Sequence, residues 1–175
     1  LSRQLHYNAG ILEYLFDYSD ALAQQGKYDS SLAMNQEAEA IAAKEMDSAR
    51  LFRALFNIGV CYDGLRNPQQ GIRYILQARD YYEKKEIMAR VGMCDNELML
   101  LFLNAKNYAE ALHYGREAIP LYKKYRSQRK LSTPLQNLAV VYQSMQQPVK
   151  AVPLLKEALS IDNRYHRESA ELDRS

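Results

Sequence analysis

Few residues of the 175-residue chain have the type and spacing that metal or redox chemistry requires. Glu110 and His113 lie three residues apart, as two ligands of a di-iron site do on a helix. Such a site needs a second pair of this kind and two further carboxylates from facing helices, and the sequence has no second pair. Cys61 and Cys94 form no CxxC motif, so their spacing predicts two buried free thiols, or a disulfide if the fold brings them together. We therefore predict no metal ion and no cofactor.

Sequence motifs of common enzymes are absent. The chain has no glycine-rich phosphate loop, no HExxH and no GxSxG, and we expect it not to be an enzyme. The formal net charge of +2 is too small to indicate a polyanionic partner by itself. One basic run, KKYRSQRK at 123–130, is either a solvated helix end with its linker or a patch for an acidic partner. No other basic stripe supports it, so we expect no direct binding to nucleic acid.

Asparagine side chains are the remaining candidates for a polar binding site. Two similar hexapeptides, NIGVCY at 57–62 and NLAVVY at 137–142, both begin with asparagine. An amide side chain donates and accepts hydrogen bonds, so it can bind the backbone of an extended peptide. It can equally hold a neighbouring helix through a buried hydrogen bond. The residues alone leave both roles open for Asn57 and Asn137.

The spacing of 80 between these hexapeptides is twice a period of 40 that runs through the chain. Apolar residues within each copy recur at helical spacing, and polar breaks near 26, 67, 106 and 146 divide each copy into two helices. Two columns of small residues and one of large residues keep the period: Ser31, Gly71, Ala111, Ala151; Ala38, Ala78, Ala118, Ala158; and Leu22, Tyr62, Phe102, Tyr142. The pattern predicts four helical hairpins that stack on one another, because one hairpin cannot bury both of its faces.

These columns resemble the tetratricopeptide repeat. The residues that carry the resemblance are Leu55, Ile58, Gly59, Tyr62, Gly71, Ile75 and Ala78 in one copy and Leu135, Leu138, Ala139, Tyr142, Ala151, Leu155 and Ala158 in another. The usual repeat has 34 residues, so a period of 40 implies a longer second helix or a longer link. Repeats of this length resemble those in arrays of bacterial regulatory and sensor proteins.

The resemblance implies an all-α fold, a right-handed superhelical solenoid of about four antiparallel helical hairpins. We expect one array over residues 1–165, with hairpins at about 12–48, 52–88, 92–128 and 132–165. Residues 166–175 would then be a polar tail or the start of a linker. Pro153 lies inside the last predicted helix and should kink it or shift its start.

The resemblance also implies a site. In this family the first helices of the hairpins line a concave groove that binds an extended peptide or a partner helix. Transferred to this sequence, the groove positions are Phe16, Asp20, Arg53, Phe56, Asn57, Val60, Asp63, Asn96, Leu100, Gln136, Asn137 and Val140. Among them only Arg53 is basic, so we expect no clamp for the carboxylate of a chaperone tail.

We therefore expect a protein- or peptide-binding module of a larger bacterial regulatory protein. The alternative is a self-association or signal-relay domain that forms a homodimer, which exposed apolar side chains at Met93, Leu100 and Leu103 would favour. The sequence has no signal peptide and no apolar run of about 18 residues that could span a membrane. Because the chain begins with Leu1, we interpret it as an excised domain or a processed chain. A cytoplasmic location is favoured, with a periplasmic sensor domain as the alternative.

Overall fold

The described part of the protein is helical throughout. The computed structural model describes the backbone of residues 2–126 and 128–172, and the side chains of residues 8–126 and 129–166. The helices are α1 Ser2–Gln24, α2 Tyr28–Lys44, α3 Ser48–Gly64, α4 Pro68–Lys84, α5 Met88–Asn104, α6 Tyr108–Tyr125, α7 Ser132–Ser144 and α8 Pro148–Leu172, with a 3-10 helix at Gln128–Leu131. The expectation of an all-α fold built from four helical hairpins is confirmed.

The turn inside each hairpin repeats with the predicted period. Its central residue has a positive φ at Gly26, Arg66, Lys106 and Gln146. The backbone N–H of the next residue donates to a backbone carbonyl oxygen near the end of the first helix. The donor and acceptor residues are Lys27 and Leu22, Asn67 and Tyr62, Asn107 and Phe102, and Gln147 and Tyr142. This left-handed turn with a hydrogen bond across it ends a helix while satisfying its last carbonyls. The second helices consequently begin 40 residues apart, at positions 28, 68, 108 and 148.

A small residue lets the two helices of the second hairpin approach closely. A Cβ atom added at Gly59 of α3 would lie 2.5 Å from Cδ1 of Ile75 and 3.2 Å from the carbonyl oxygen of Gly71, both in α4. Any larger residue at position 59 would push the helices apart. Gly59 therefore sets the distance between the helices of this hairpin.

The chain divides into two compact units, Leu1–Tyr81 (unit 1) and Tyr82–Ser175 (unit 2), with the boundary inside α4. In unit 1, α2 packs against both α1 and α3. Its core includes Leu12, Leu15, Phe16, Ala38, Ala42 and Ala54. In unit 2, α6 packs against α5 and α7, α7 packs against α8, and α5 also contacts α7. The first helices of the hairpins carry the predicted site residues. They lie side by side within each unit, α1 with α3 in unit 1 and α5 with α7 in unit 2.

Two features of unit 2 depart from the regular period. Arg126 has an extended backbone after α6, and the 3-10 helix follows, so α7 begins at Ser132 and is shorter than the other first helices. The last helix begins at Pro148, five residues before Pro153, which therefore does not set its start. The backbone of α8 stays helical to Leu172, through most of the segment expected to be a tail or linker.

Among the described residues, no helix is both long and apolar enough to cross a membrane.

Candidate functional site

The predicted groove residues all lie on first helices, and in unit 1 three of them meet. Asp20, Asn57 and Val60 surround a pocket of about 30 Å³. That volume has room for about one water molecule. The remaining walls of the pocket are Ala23, Ser31, Asn35 and Cys61.

Beneath this pocket lies a buried polar network, which we call the polar floor: Ser19, Ser31, Asn35 and Cys61. The Ser19 hydroxyl donates to the carbonyl of Phe16 at 2.8 Å, and the Ser31 hydroxyl donates to the carbonyl of Ser19 at 2.9 Å. The Asn35 Nδ2 donates to the carbonyl of Ser31 at 2.9 Å, and the Cys61 thiol donates to Ser31 Oγ at 3.2 Å. Each of these side chains is at most 1% exposed. The network is satisfied internally, as buried polar groups must be.

The side chain of Asn57 donates a hydrogen bond to the polar floor. Its Nδ2 donates to Asn35 Oδ1 at 3.1 Å, which joins α3 to α2. Within the described part of the chain, its own Oδ1 accepts no hydrogen bond, and the side chain is half-buried. Asn57 therefore holds a neighbouring helix, the packing role left open by the sequence, and still presents one acceptor.

Arg53 covers Phe16. Its guanidinium lies 4.1 Å above the centre of the Phe16 ring, and its Nη1 donates to Glu13 Oε2 at 3.0 Å. Phe16 was predicted to line the groove, but its side chain is 0% exposed and packs in the core of unit 1. A ligand on this face would touch Arg53 and not the ring below it.

The charges on this face shift two carboxyl groups in opposite directions. Burial raises the pKa of Glu13, but hydrogen bonds and charges from Arg50 and Arg53 outweigh it and lower the pKa below its ordinary value. For Asp20, burial raises the pKa, the charge of Arg53 opposes that, and the result is a raised pKa. Asp20, which lines the pocket, is thus a weaker acid than an ordinary aspartate, and Glu13 is a stronger acid than an ordinary glutamate.

In unit 2 two predicted residues bond to each other. The Asn137 Nδ2 of α7 donates to Asn96 Oδ1 of α5 at 3.1 Å, and both side chains are half-buried. Within the described ranges, Asn137 Oδ1 accepts no hydrogen bond and Asn96 Nδ2 donates none. Beside the pair, Val140 is 45% exposed and Leu100 is half-buried. Gln136 is turned toward its own helix and α8, because its Nε2 donates to Ser132 Oγ and Asp162 Oδ2.

Unit 2 has no counterpart of the polar floor. Eighty residues after its members stand Met99, Ala111, Gly115 and Val141, all apolar and buried, which we call the apolar floor. The space that Asn35 fills in unit 1 is occupied here by neighbours. A Cβ atom at Gly115 would lie 2.6 Å from Met99 Sδ and 2.7 Å from Leu138 Cδ1.

The remaining predicted residues, Phe56 and Asp63, are half-buried on α3 of unit 1.

The structure also bears on metal and thiol chemistry. Among the residues that it describes, no group of three or more His, Cys, Asp or Glu side chains could hold a metal ion. Cys61 and Cys94 are buried and form no disulfide, which confirms the prediction of two buried thiols. Burial raises the pKa of Cys61, although hydrogen bonds with Ser31 and Asn35 oppose the shift, so this thiol resists ionisation.

With this geometry in place, comparison with known families gives a direct match. Residues 96–164 match the tetratricopeptide repeat. The match includes the Asn96–Asn137 pair, and it confirms the resemblance that the columns indicated. No curated protein is similar enough in sequence to count as a match.

Solved structures share the fold at low identity. The crystal structure of BtubC (BKLC) from P. vanneervenii has a TM-score of 0.76 and 18% identity, and the similarity covers 89% of this chain and 64% of that one. A putative kinesin light chain from Podosopora anserina with nearly identical TPR-like repeats has a TM-score of 0.73 and 17% identity, over 87% and 75% of the two chains. A Rap protein complexed with Competence and Sporulation Factor has a TM-score of 0.80 and 16% identity, over 89% and 44%. The chain thus spans less than two thirds of the length of BtubC and of the Rap protein. At these identities the likeness shows the fold alone.

Sequence reasoning missed the polar floor. Asn35 belongs to a column that holds Ile75 and Leu155 in two of the other copies. A polar residue at an otherwise apolar, core-facing position was the available signal. Its partners could not be read, since Ser19 and Cys61 belong to other columns.

Three cations of the basic run at 123–130 lie in the last turn of α6 or directly after it. Lys123 pairs with Glu157 at 2.9 Å, and Lys124 lies over the ring of Tyr125. The Arg126 guanidinium lies over the buried Tyr122 ring, and its Nη1 is 3.0 Å from Met93 Sδ. These cations make contacts within unit 2. That the protein does not bind nucleic acid directly stays a prediction.

Proposed function

We propose that the chain is a protein-interaction scaffold that binds an extended peptide segment on its first-helix faces. The Asn96–Asn137 pair is the observation that carries this proposal. Each amide uses one polar end to bond the other. What remains is one acceptor, Asn137 Oδ1, beside one donor, Asn96 Nδ2. A peptide group offers one N–H and one C=O, so the pair complements a peptide group whatever side chain it carries.

The surroundings of each amide suit such a ligand. In unit 2, Val140 and Leu100 offer apolar surface beside the pair. In unit 1, Asn57 lines the small pocket together with Val60 and Asp20. Apolar contact supplies affinity, and backbone hydrogen bonds fix the ligand's orientation. The Rap protein of the same fold was solved with a bound factor, which supports a binding role for such a fold.

The wider role that we propose is a binding module, without catalysis, in a larger bacterial regulatory protein of the cytoplasm. The bound segment would come from a partner protein or from a free peptide.

The proposal is tested with a peptide selected against the chain from a randomised display library. We expect Asn137→Ala and Asn57→Ala each to weaken binding about tenfold, the effect of about 1.4 kcal/mol. Gln36→Ala removes an exposed amide from α2, a second helix, and is the matched control that should bind as the wild type does. N-methylation of single peptide bonds of the ligand should reproduce the loss at one or two positions. Failure to select any peptide, or equal binding by all variants, would overturn the proposal.

Self-association is a second candidate, supported by an apolar stripe on α8. Val152, Leu155 and Leu159 recur at helical spacing and are 47%, 39% and 59% exposed. A second copy of the chain could cover this stripe. By contrast, Met93, Leu100 and Leu103, whose exposure was expected to favour a dimer, are half-buried. Sedimentation velocity over a range of concentrations tests this candidate: Leu159→Glu should abolish any dimer, and a monomer at every concentration excludes it.

A further inference from the structure

The amide of Asn57 is fixed by a chain of hydrogen bonds that begins in α1. Ser31 of α2 donates to the carbonyl of Ser19 in α1, and Asn35 donates to the carbonyl of Ser31. Asn35 Oδ1 then accepts from Asn57 Nδ2 at 3.1 Å. Because this last bond engages the NH₂ end, the Oδ1 end of Asn57 is the one left for other partners.

The fold itself does not require a polar residue at position 35. The same column holds Ile75, Gly115 and Leu155 in the other copies, where the hairpins form equally well. Replacing a satisfied buried polar network by apolar residues of similar volume is often neutral or stabilising. A polar floor in unit 1 alone therefore calls for a role other than stability.

We propose that Asn35 is a positioning residue, which holds Asn57 with its carbonyl oxygen presented to the N–H of a bound peptide. The inference rests on the proposed function and adds a difference between the two units. In unit 2 the partner of Asn137 is Asn96, which lies half-buried on the ligand face, so a ligand can compete for it. In unit 1 the partner, Asn35, is 1% exposed and lines a pocket with room for about one water molecule, which is too small for a peptide group. The Asn57 amide thus keeps its orientation when the ligand binds.

The first test needs no ligand. ¹⁵N relaxation of the side-chain amides is measured in the wild type and in Asn35→Leu, which places in unit 1 the residue found at Leu155. We expect the Asn57 amide to be nearly as rigid as backbone in the wild type, with an order parameter of about 0.85, and to fall below about 0.6 in the variant. The Gln36 amide, exposed on α2, should be mobile in both. Equal mobility of Asn57 in the two proteins would overturn the inference.

The second test is a double-mutant cycle with the library-selected peptide. Asn35→Leu should weaken binding about threefold to tenfold under conditions where circular dichroism shows that the variant is fully folded. It should cause no further loss in an Asn57→Ala background, because Asn35 acts through Asn57. A purely structural role would reduce binding in both backgrounds. Asn35→Ala, which cannot overpack the site, serves if the leucine variant does not fold.

The outcomes separate the two proposals. If Asn57→Ala loses affinity and Asn35→Leu keeps it, the positioning role is wrong and the proposed function stands. If neither substitution changes affinity, peptide binding at unit 1 and the positioning role are both overturned.

Discussion

The two units carry the same asparagine at the same place in the repeat, above floors of opposite character. Asn57 lies over a network of hydroxyl, thiol and amide groups, and its Nδ2 bonds downward to Asn35. Asn137 lies over sulfur and hydrocarbon, and its Nδ2 bonds sideways to Asn96. The repeat fixes the position of the amide, whereas the neighbouring columns decide its partner.

Two substitutions along the repeat account for the switch. One column changes from Asn35 to Gly115, which removes the partner below. The other changes from Phe16 to Asn96, which supplies a partner beside it. Both changes are needed, because an amide that lost its partner without gaining another would leave a half-buried donor unsatisfied. The two asparagines therefore occupy equivalent positions of the repeat but are held by different hydrogen-bond partners.

The largest expected effect comes from Gly115→Asn, which places an amide side chain in the apolar floor of unit 2. The new side chain would meet Met99 Sδ and Leu138 Cδ1, at less than 3 Å from its Cβ atom. Overpacking, together with an amide that has no hydroxyl partner at Ala111, should lower the free energy of unfolding by about 3 kcal/mol or more. Urea denaturation followed by circular dichroism measures the change.

Gly10→Asn is the matched control, because a Cβ atom at Gly10 in α1 would meet nothing within 4 Å. It should be neutral or slightly stabilising, since asparagine has a better helix propensity than glycine. Adding Met99→Ser and Ala111→Ser to Gly115→Asn should recover part of the loss. Wild-type stability for Gly115→Asn alone would show that the apolar floor accepts an amide, and the contrast between the units would lose its physical basis.

The sequence predicted the places of these residues better than their surroundings. The period of 40 correctly placed the turns, because a left-handed residue and its returning hydrogen bond recur with the columns, as at Arg66 and Lys106. It also placed the close approach of α3 and α4 at Gly59. The burial of Phe16 was not predictable from its column, because the ring packs in the core of unit 1 and the long Arg53 side chain lies over it. A period specifies backbone position, and burial depends on the sizes of neighbouring side chains.

A smaller effect should come from taking the polar floor apart in unit 1. Ser31→Ala leaves the Cys61 thiol without its acceptor, and Cys61→Val, which copies Val141, leaves Ser31 Oγ without that donor. Each should cost about 1 kcal/mol in the free energy of unfolding. The double variant should cost clearly less than the two together, because donor and acceptor disappear as a pair. Additive costs would mean that the hydrogen bond between them contributes nothing, and Ser30→Ala, an exposed neighbour on α2, should be neutral.

The smallest expected effect is the pH dependence that Glu13 gives to unit 1. Arg50 and Arg53 bond its two carboxylate oxygens and, against the effect of burial, lower its pKa below 4.5. A lowered folded-state pKa stabilises the protein above the unfolded value, and this stabilisation is lost as pH falls through the folded value. Because Glu13 is 49% exposed and solvent screens the pairs, we expect at most about 1 kcal/mol in total.

Arg53→Gln should make the decline in stability between about pH 5 and pH 3 shallower, and about 1 M salt should remove most of the difference from the wild type. The substitution also removes the contact with the Phe16 ring, but that loss is the same at every pH because the ring does not titrate. The pH-dependent part of the difference therefore reports on Glu13 and Asp20, the two carboxyl groups on whose pKa the charge of Arg53 acts. Parallel pH profiles for the two proteins would show that Arg53 covers the ring without stabilising the ionised carboxylate.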